Sequence, residues 1–279
     1  CDGMGGMQGG SVASQLAVQT ILETVALAEK KANPTSVLIQ AIKNANSAII
    51  EHGQKNPNLR GMGTTATVLL LTPYSALTAY VGDSRIYQLR NGKKIFRTFD
   101  HSMVFEMVKK RIISEEQARL SAQSNVILKA LGVNADVEVE IAERPYKKGD
   151  RFVLCSDGFW GAMPEEEFVR HLVESNPIDK ILESTANVVE SIGRNSGQEF
   201  DNLTAAILEM SSNSILKEKM NRTAKIIILI LTVLLLISLV FNISMVIHDK
   251  TNDGFSPEQE QVDSIKNAIQ INTDSIKVK

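Results

Sequence analysis

Three aspartates in this 279-residue sequence occupy places where a carboxylate could meet a ligand. Asp2 lies in Asp-Gly-Met-Gly-Gly, Asp157 follows Arg-Phe-Val-Leu-Cys-Ser and precedes Gly158, and Asp201 precedes Asn202. Each sits beside a glycine or asparagine turn, next to a run that reads as a strand or a strand end. Strand ends are rigid, and glycine lets backbone carbonyls approach a cation closely. Carboxylates without imidazole or thiolate partners suit hard cations, Mg²⁺ or Mn²⁺, which keep several waters. Two such ions about 3.5–4 Å apart lower the pKa of a shared water and stabilise both oxygens of an in-line phosphoryl displacement. An aspartate beside glycine is more often a turn former, so spacing alone leaves both roles open.

Other chemistries fit less well. The residues after Cys155 are Ser-Asp-Gly-Phe-Trp-Gly, with no arginine loop to cradle phosphate for a thiolate nucleophile, and a buried strand cysteine is the better reading. Asp100, His101 and Ser102 contain the three residue types of a hydrolase triad, but adjacent side chains cannot converge as a triad requires. The glycines at 3, 5, 6, 9 and 10 miss the spacing of a dinucleotide loop, and no Walker-type loop occurs. Gly61 to Thr65 and Gly82 to Arg85 read as tight sheet corners. Four histidines and two cysteines argue against a zinc site and a disulfide framework, and the soluble part suits a reducing compartment. A net charge of −2 with both signs scattered offers no field for nucleic acid.

Apolar periodicity supplies the elements that must position these residues. Val18, Ile21, Leu22, Val25 and Ala28 share a helical face after the glycine-rich opening. Asn33-Pro34 caps a second helix with the stripe Leu38, Ile42, Ala45 and Ile49, and Gly53 stands where a C-terminal cap would. Strands are expected over 64–71, 76–81, 85–89 and 94–99, with Asn91-Gly92 as a hairpin turn. A helix over 103–118, strands over 137–142 and 151–155, helices from Pro164 and over 178–193, and a strand over 203–208 complete the pattern. Hairpin-linked strands with paired helices between them give an α+β domain from residue 1 to about 210.

The strings DGMGG (2–6), GMGTTATVLL (61–70), VGDSRIYQLRNG (81–92), DHS (100–102), CSDGFWGAM (155–163) and DNLTAAIL (201–208) occur in the order found in the metal-dependent protein phosphatases. Residues 1 to about 208 therefore resemble the protein phosphatase 2C family, bacterial members above all. The resemblance implies a central antiparallel β-sandwich flanked by helix pairs, with the metals in a cleft at one end of the sheets. It implies a protein serine/threonine phosphatase that hydrolyses phosphoserine and phosphothreonine with a water activated by a dinuclear Mn²⁺ or Mg²⁺ centre. By that likeness Asp2 bridges two ions, the carbonyl of Gly3 binds one of them, and Asp157 and Asp201 complete the shell of one ion. Asp100 resembles the aspartate that joins Asp157 in holding a third ion in bacterial relatives, and no side chain serves as nucleophile. The partners implied are phosphorylated proteins, targets of a serine/threonine kinase. An acidic residue and a phosphate-binding arginine of the family belong to strands before DGMGG, so sequence upstream of Cys1 is expected. Where animal members carry a histidine after the Asp-Gly pair, this sequence has Met4. The alternative to an active enzyme is a catalytically impaired relative acting as a membrane-linked regulatory or scaffold domain.

Residues 226–247 form a charge-free apolar run. As a helix it would be about 33 Å long, enough to cross a bilayer core of about 30 Å. Lys217, Lys219, Arg222 and Lys225 precede it, while only Lys250 and Lys266 lie within about twenty residues after it. The expectation is a linker over 211–224 and a single transmembrane helix over 225–247 in contact with lipid. The phosphatase domain is then on the cytoplasmic side of the cell membrane, and a short polar or amphipathic tail covers 248–279.

Overall fold

The computed structural model describes residues 1–196, 201–215 and 230–238. Residues 1–218 form one compact unit and 219–279 a second. The first unit runs in the order β1 (Gly3–Met4), α1 (Gly6–Ala26), α2 (Pro34–Lys55), β2 (Gly63–Thr64), β3 (Ala66–Leu71), β4 (Ala76–Val81), β5 (Arg85–Arg90) and β6 (Lys93–Arg97). It continues with α3 (Met103–Lys109), α4 (Glu115–Arg119), β7 (Glu140–Arg144), β8 (Arg151–Cys155), α5 (Asp157–Trp160), α6 (Glu165–Leu172), α7 (Ile178–Ser196) and β9 (Ala205–Glu209).

Among these residues β3-β4-β7 and β6-β5-β8-β9 make two antiparallel sheets, and β1 pairs with β2. Strand alternation decides what each face meets. In β4, Leu77, Ala79 and Val81 join a core with Leu38, Ile42 and Ile49 of α2 and Ala13, Ala17 and Ile21 of α1. Ala76, on the opposite face of β4, packs with Tyr146 and with Phe152 of β8, where the two sheets meet. The far side of the four-stranded sheet carries Tyr87, Val153 and Cys155 against Phe159, Phe168, Leu172, Ile181 and Val189 of the later helices. The order is therefore helix pair, sheet, sheet, helices, as expected for an α+β sandwich.

Asn91 and Gly92 both have positive φ, 50° and 73°, which the tight hairpin between β5 and β6 requires. Several boundaries differ from the sequence pattern for physical reasons. The first helix buries the Ala13–Ala17–Ile21 row, while Val18 and Leu22 are exposed, because alanines let α1 approach its neighbours closely. Gly53 lies inside α2 rather than after it: a Cβ there would stand 3.2 Å from the Leu59 carbonyl oxygen, so the glycine serves close packing. The helix expected over 103–118 is two helices, broken at Arg111 with φ 59° and restarted by a capping box in which Ser114 and Gln117 satisfy each other's backbone N–H. The strand placed at 137–142 lies at 140–144, and the last strand starts at Ala205.

No helix among the described residues is long and apolar enough to cross a membrane. Of the apolar run, residues 230–238 are helical, and the rest of 225–247 and all of 248–279 lie outside the described residues.

Candidate metal centre

Asp2 is held through its backbone. Its N–H donates to Thr65 Oγ1 at 2.9 Å, and its carbonyl accepts from Thr65 N and from Thr64 Oγ1, each at 2.8 Å. The Gly61–Thr65 corner thus carries the residues that hold Asp2 in place. Gly3 passes against α1 so closely that a Cβ on it would fall 2.0 Å from the Gly10 carbonyl oxygen, which excludes any side chain there.

Asp157 opens α5 directly after β8, and its Oδ1 accepts from Gly158 N at 2.8 Å. Asp201 accepts from Asn202 N at 2.8 Å in the same way. The two loops interlock. Ser156 N donates to the Thr204 carbonyl at 3.0 Å, and Thr204 N donates to Ser156 Oγ at 3.2 Å. A Cβ on Gly158 would stand 2.7 Å from the Asn202 carbonyl oxygen, so only glycine allows this approach. The sequence-expected trio Asp2, Asp157 and Asp201 is therefore assembled from three distant stretches of chain.

A fourth carboxylate joins them. Asp83, in the β4–β5 turn, is 3% exposed and lines, with Asp157 and Asp201, a cavity of about 760 Å³. Phe105, Leu120, Ser124 and Asn125 also line that cavity. The feature that singled out Asp157, an aspartate beside glycine at a strand end, also fits Gly82-Asp83. A tight-corner reading of that turn hid it.

The electrostatics are those of a site short of positive charge. Burial pushes the Asp157 carboxyl well above the usual carboxylate range, and the neighbouring charges of Asp83, Asp2 and Asp201 add to it. Asp2 is raised too, first by burial, although its carboxyl lies within hydrogen-bonding reach of Asp157. Burial and then Asp100 raise Asp83 to about 7. None of the four makes an ion pair among the described residues. Nor does any group of three His, Cys, Asp or Glu among them close into a ready cage. A clustered, all-oxygen, open donor set fits hard divalent cations that retain water, and it fits no other common biological metal as well.

Asp100 is placed differently. Its two oxygens accept from Arg85 Nε at 2.8 Å and Nη2 at 2.7 Å, with both side chains almost fully buried. Its neighbour His101 accepts from Gly82 N at Nδ1, 3.2 Å away, and stacks on Tyr80. Cys155 lies behind the cleft, and burial raises its thiol, so it is no nucleophile.

A model of the family described as "Protein phosphatase 2C" matches residues 1–196. The serine/threonine phosphatase stp of Listeria innocua is 35% identical over 212 residues, which are 75% of this chain and 82% of that protein. The serine/threonine protein phosphatase PstP of Mycobacterium tuberculosis is 32% identical over 209 residues, 75% of this chain and 39% of its own. Among solved structures, the serine/threonine phosphatase Stp1 from Staphylococcus aureus aligns with a TM-score of 0.69 at 28% identity, covering 75% of this chain and 82% of that one. The catalytic domain of PstP in complex with two manganese ions aligns at 0.58 and 31% identity, covering 74% and 83%.

Proposed function

The chain belongs to the protein phosphatase 2C family, and from that membership and the site geometry we propose how its own residues carry the reaction. It is a metal-dependent protein serine/threonine phosphatase that uses a dinuclear Mn²⁺ or Mg²⁺ centre. Its substrates are phosphorylated proteins. The observation that carries our assignment of residues is the convergence of Asp2, Asp157 and Asp201, the first two partly buried, in one group with no paired cation among the described residues. In our assignment the Asp2 carboxylate, the Gly3 carbonyl, Asp157 and Asp201 would hold the two ions. When bound, the ions supply an activated water and neutralise charge on the phosphoryl group. The chain itself supplies rigidity. Thr64 and Thr65 fix the Asp2 backbone, and the Ser156–Thr204 bonds fix the other two carboxylates against each other. Asp100 would take part in a third site only by sharing its oxygens with Arg85.

A silent scaffold is the competing reading. A fold freed from catalysis has no reason to keep like charges buried together, since replacing them with neutral residues would stabilise it. The protein should hydrolyse p-nitrophenyl phosphate and phosphothreonine peptides with Mn²⁺, and EDTA should abolish turnover. Turnover that persists in EDTA would refute the metal-dependent reading.

We further propose that residues 225–247 anchor the enzyme in the cell membrane with the phosphatase domain in the cytoplasm. The support is the apolar run at 226–247 and its basic N-terminal flank. A reporter after Lys279 should be active outside the cytoplasm, and one after Ser212 inside. Finding both on one side would overturn the anchor.

A further inference from the structure

Strand register sorts the two ends of the sandwich. β4 runs from Ala76, paired with Leu71 and Arg144, to Val81, which leads to Asp83. β8 runs from Arg151, paired with Glu209, to Cys155, which leads to Asp157. The turn at 72–75, the loop at 145–150 and the segment 210–215 therefore lie at the end opposite the aspartates. The five residues of β8 put about 17 Å between the two ends. At the opposite end Tyr146 acts as a clamp. Its Oη donates to the Thr72 carbonyl at 2.8 Å, its N–H donates to Ser214 Oγ at 2.9 Å, and its carbonyl accepts from Ser214 N at 2.8 Å. Lys148 N donates to Asn213 Oδ1 at 2.8 Å, and Ile215 N donates to the Pro73 carbonyl at 3.0 Å. The chain after β9 is thus tied across this end of the sandwich rather than released at Glu209.

The surface that the clamp presents is amphipathic. Thr72 Oγ1 accepts from Tyr74 N and Ser75 N, and the turn leaves Tyr74 63% exposed. Ile215, bonded to the neighbouring Pro73, is exposed to the same degree. A tyrosine has an apolar ring and a polar tip, which suits the interface of a bilayer. Lys147 and Lys148 are exposed at the same end. Lys217, Lys219, Arg222 and Lys225 follow Ile215, with Glu218 as the one acid among residues 216–225. Of the acids at this end, Asp150 is paired with Arg90 and Glu209 with Arg151, while Glu143 accepts from Ser75 Oγ. Residues 216–225 separate Ile215 from the apolar run, and even fully extended they reach only about 35 Å.

We propose that this end of the domain, with Tyr74, Lys147, Lys148 and Ile215, is a membrane seat that rests on the anionic headgroups of the bilayer. The proposal rests on the membrane anchor proposed above and adds a surface and an orientation to it. The metal cleft then opens away from the bilayer, toward soluble phosphoproteins. A loose tether would need no bonds at Asn213 and Ser214. A seat does, because a fixed exit keeps the basic end turned toward lipid.

The test uses the full chain in vesicles of phosphatidylcholine alone or mixed with phosphatidylglycerol, with an acceptor dye on the lipid headgroups. A donor dye is placed on Ser212→Cys at the seat end or on Ala122→Cys at the cleft, each with Cys1→Ser, while Cys155 is buried and stays unlabelled. Resistance to alkaline carbonate tests the anchor by itself: a chain that carbonate strips away overturns the anchor, and the seat with it. In the retained chain, energy transfer on anionic vesicles should be at least about twofold stronger from position 212 than from 122, given the separation of about 17 Å between the ends. The excess should shrink on neutral vesicles, in Lys147→Glu combined with Lys148→Glu, and in about 1 M NaCl, where the screening length is about 3 Å. Equal transfer from the two positions, or an excess indifferent to lipid charge and to the lysines, overturns the seat. If a cysteine variant does not fold, hydrogen exchange of the wild-type chain decides. The amides of 72–75 and 147–150 should exchange more slowly on anionic than on neutral vesicles, and identical rates overturn the proposal.

Discussion

Two groups of carboxylates lie around Trp160, one beside the Arg85 guanidinium and one beside the indole N–H, and they differ in how their charge is met. On one side Asp100, Glu115 and Glu165 meet Arg85 and Arg97. Arg85 grips Asp100, while Arg97 Nη1 donates to Glu115 and to Glu165, each at 2.8 Å. The Arg85 guanidinium also lies 3.2 Å from the centre of the Trp160 ring. On the other side Asp2, Asp83, Asp157 and Asp201 face each other with no arginine or lysine paired to them among the described residues. The first group is a structural joint in which the chain provides its own cations at fixed distances. The second has no such cation among the described residues, and in our assignment the metal supplies it. Asp2, Asp83 and Asp157 are raised first by burial, and all three lie on the side without a paired arginine or lysine.

The largest expected effect comes from breaking the paired side. Arg85→Met leaves Asp100 charged, buried and alone, and should cost about 3–5 kcal/mol in a denaturant melt. Arg85→Met combined with Asp100→Leu should recover most of that loss, because two apolar side chains carry no unmet charge. A single variant within about 1 kcal/mol of wild type would mean that the pair is not the closed joint described.

The unpaired side should respond with the opposite sign. Asp157→Asn should lower turnover by at least about a hundredfold, equivalent to about 2.7 kcal/mol, if our assignment of that carboxylate to the metal shell holds. The metal-free protein should nevertheless be no less stable than wild type, since a like charge has been removed from three others. A variant that is both inactive and strongly destabilised would place Asp157 among the structural carboxylates and dissolve the contrast.

How much of this was legible in the sequence follows from the range of each interaction. Asp2, Asp157 and Asp201 could be read because each carries its signal locally, as an aspartate beside a turn residue at a strand end. The sandwich could be read because the apolar and β-branched run at 76–81 and the Asn91-Gly92 turn are also local. The resemblance supplied the order of the motifs. Asp83 carries the same local signal and was read as a tight corner, because nothing local separates a cleft carboxylate from a turn former. What separates them is the absence of a partner, and that is a tertiary fact. The same holds for Asp100, whose two oxygens are committed to an arginine fifteen residues away in another element. The face of α1 was misjudged at Val18 and Leu22 because apolar type counted for more than size. The alanine row at 13 and 17 permits the closer contact.

The smallest effect tests how far the paired group reaches toward solvent. Glu115 belongs to the short helix α4, and its side chain is 42% exposed, while its partner Arg97 is 4% exposed. Glu115→Gln removes one charge but keeps an oxygen that can accept from Arg97, and Glu165 remains to balance the guanidinium. The loss in stability should therefore be only about 0.5–1 kcal/mol, in the range of half-exposed pairs. Salt should shrink it further, because at 1 M ionic strength the screening length falls to about 3 Å and the solvent-facing carboxylate is largely masked. The Arg85→Met penalty should persist in the same salt, since water and ions do not reach a pair whose side chains are 3% and 1% exposed. Melts of both variants at low and high NaCl compare the two directly. If the two penalties decline together, the joint is open to solvent throughout, and the division between a chain-neutralised group and a metal-neutralised one loses its physical basis.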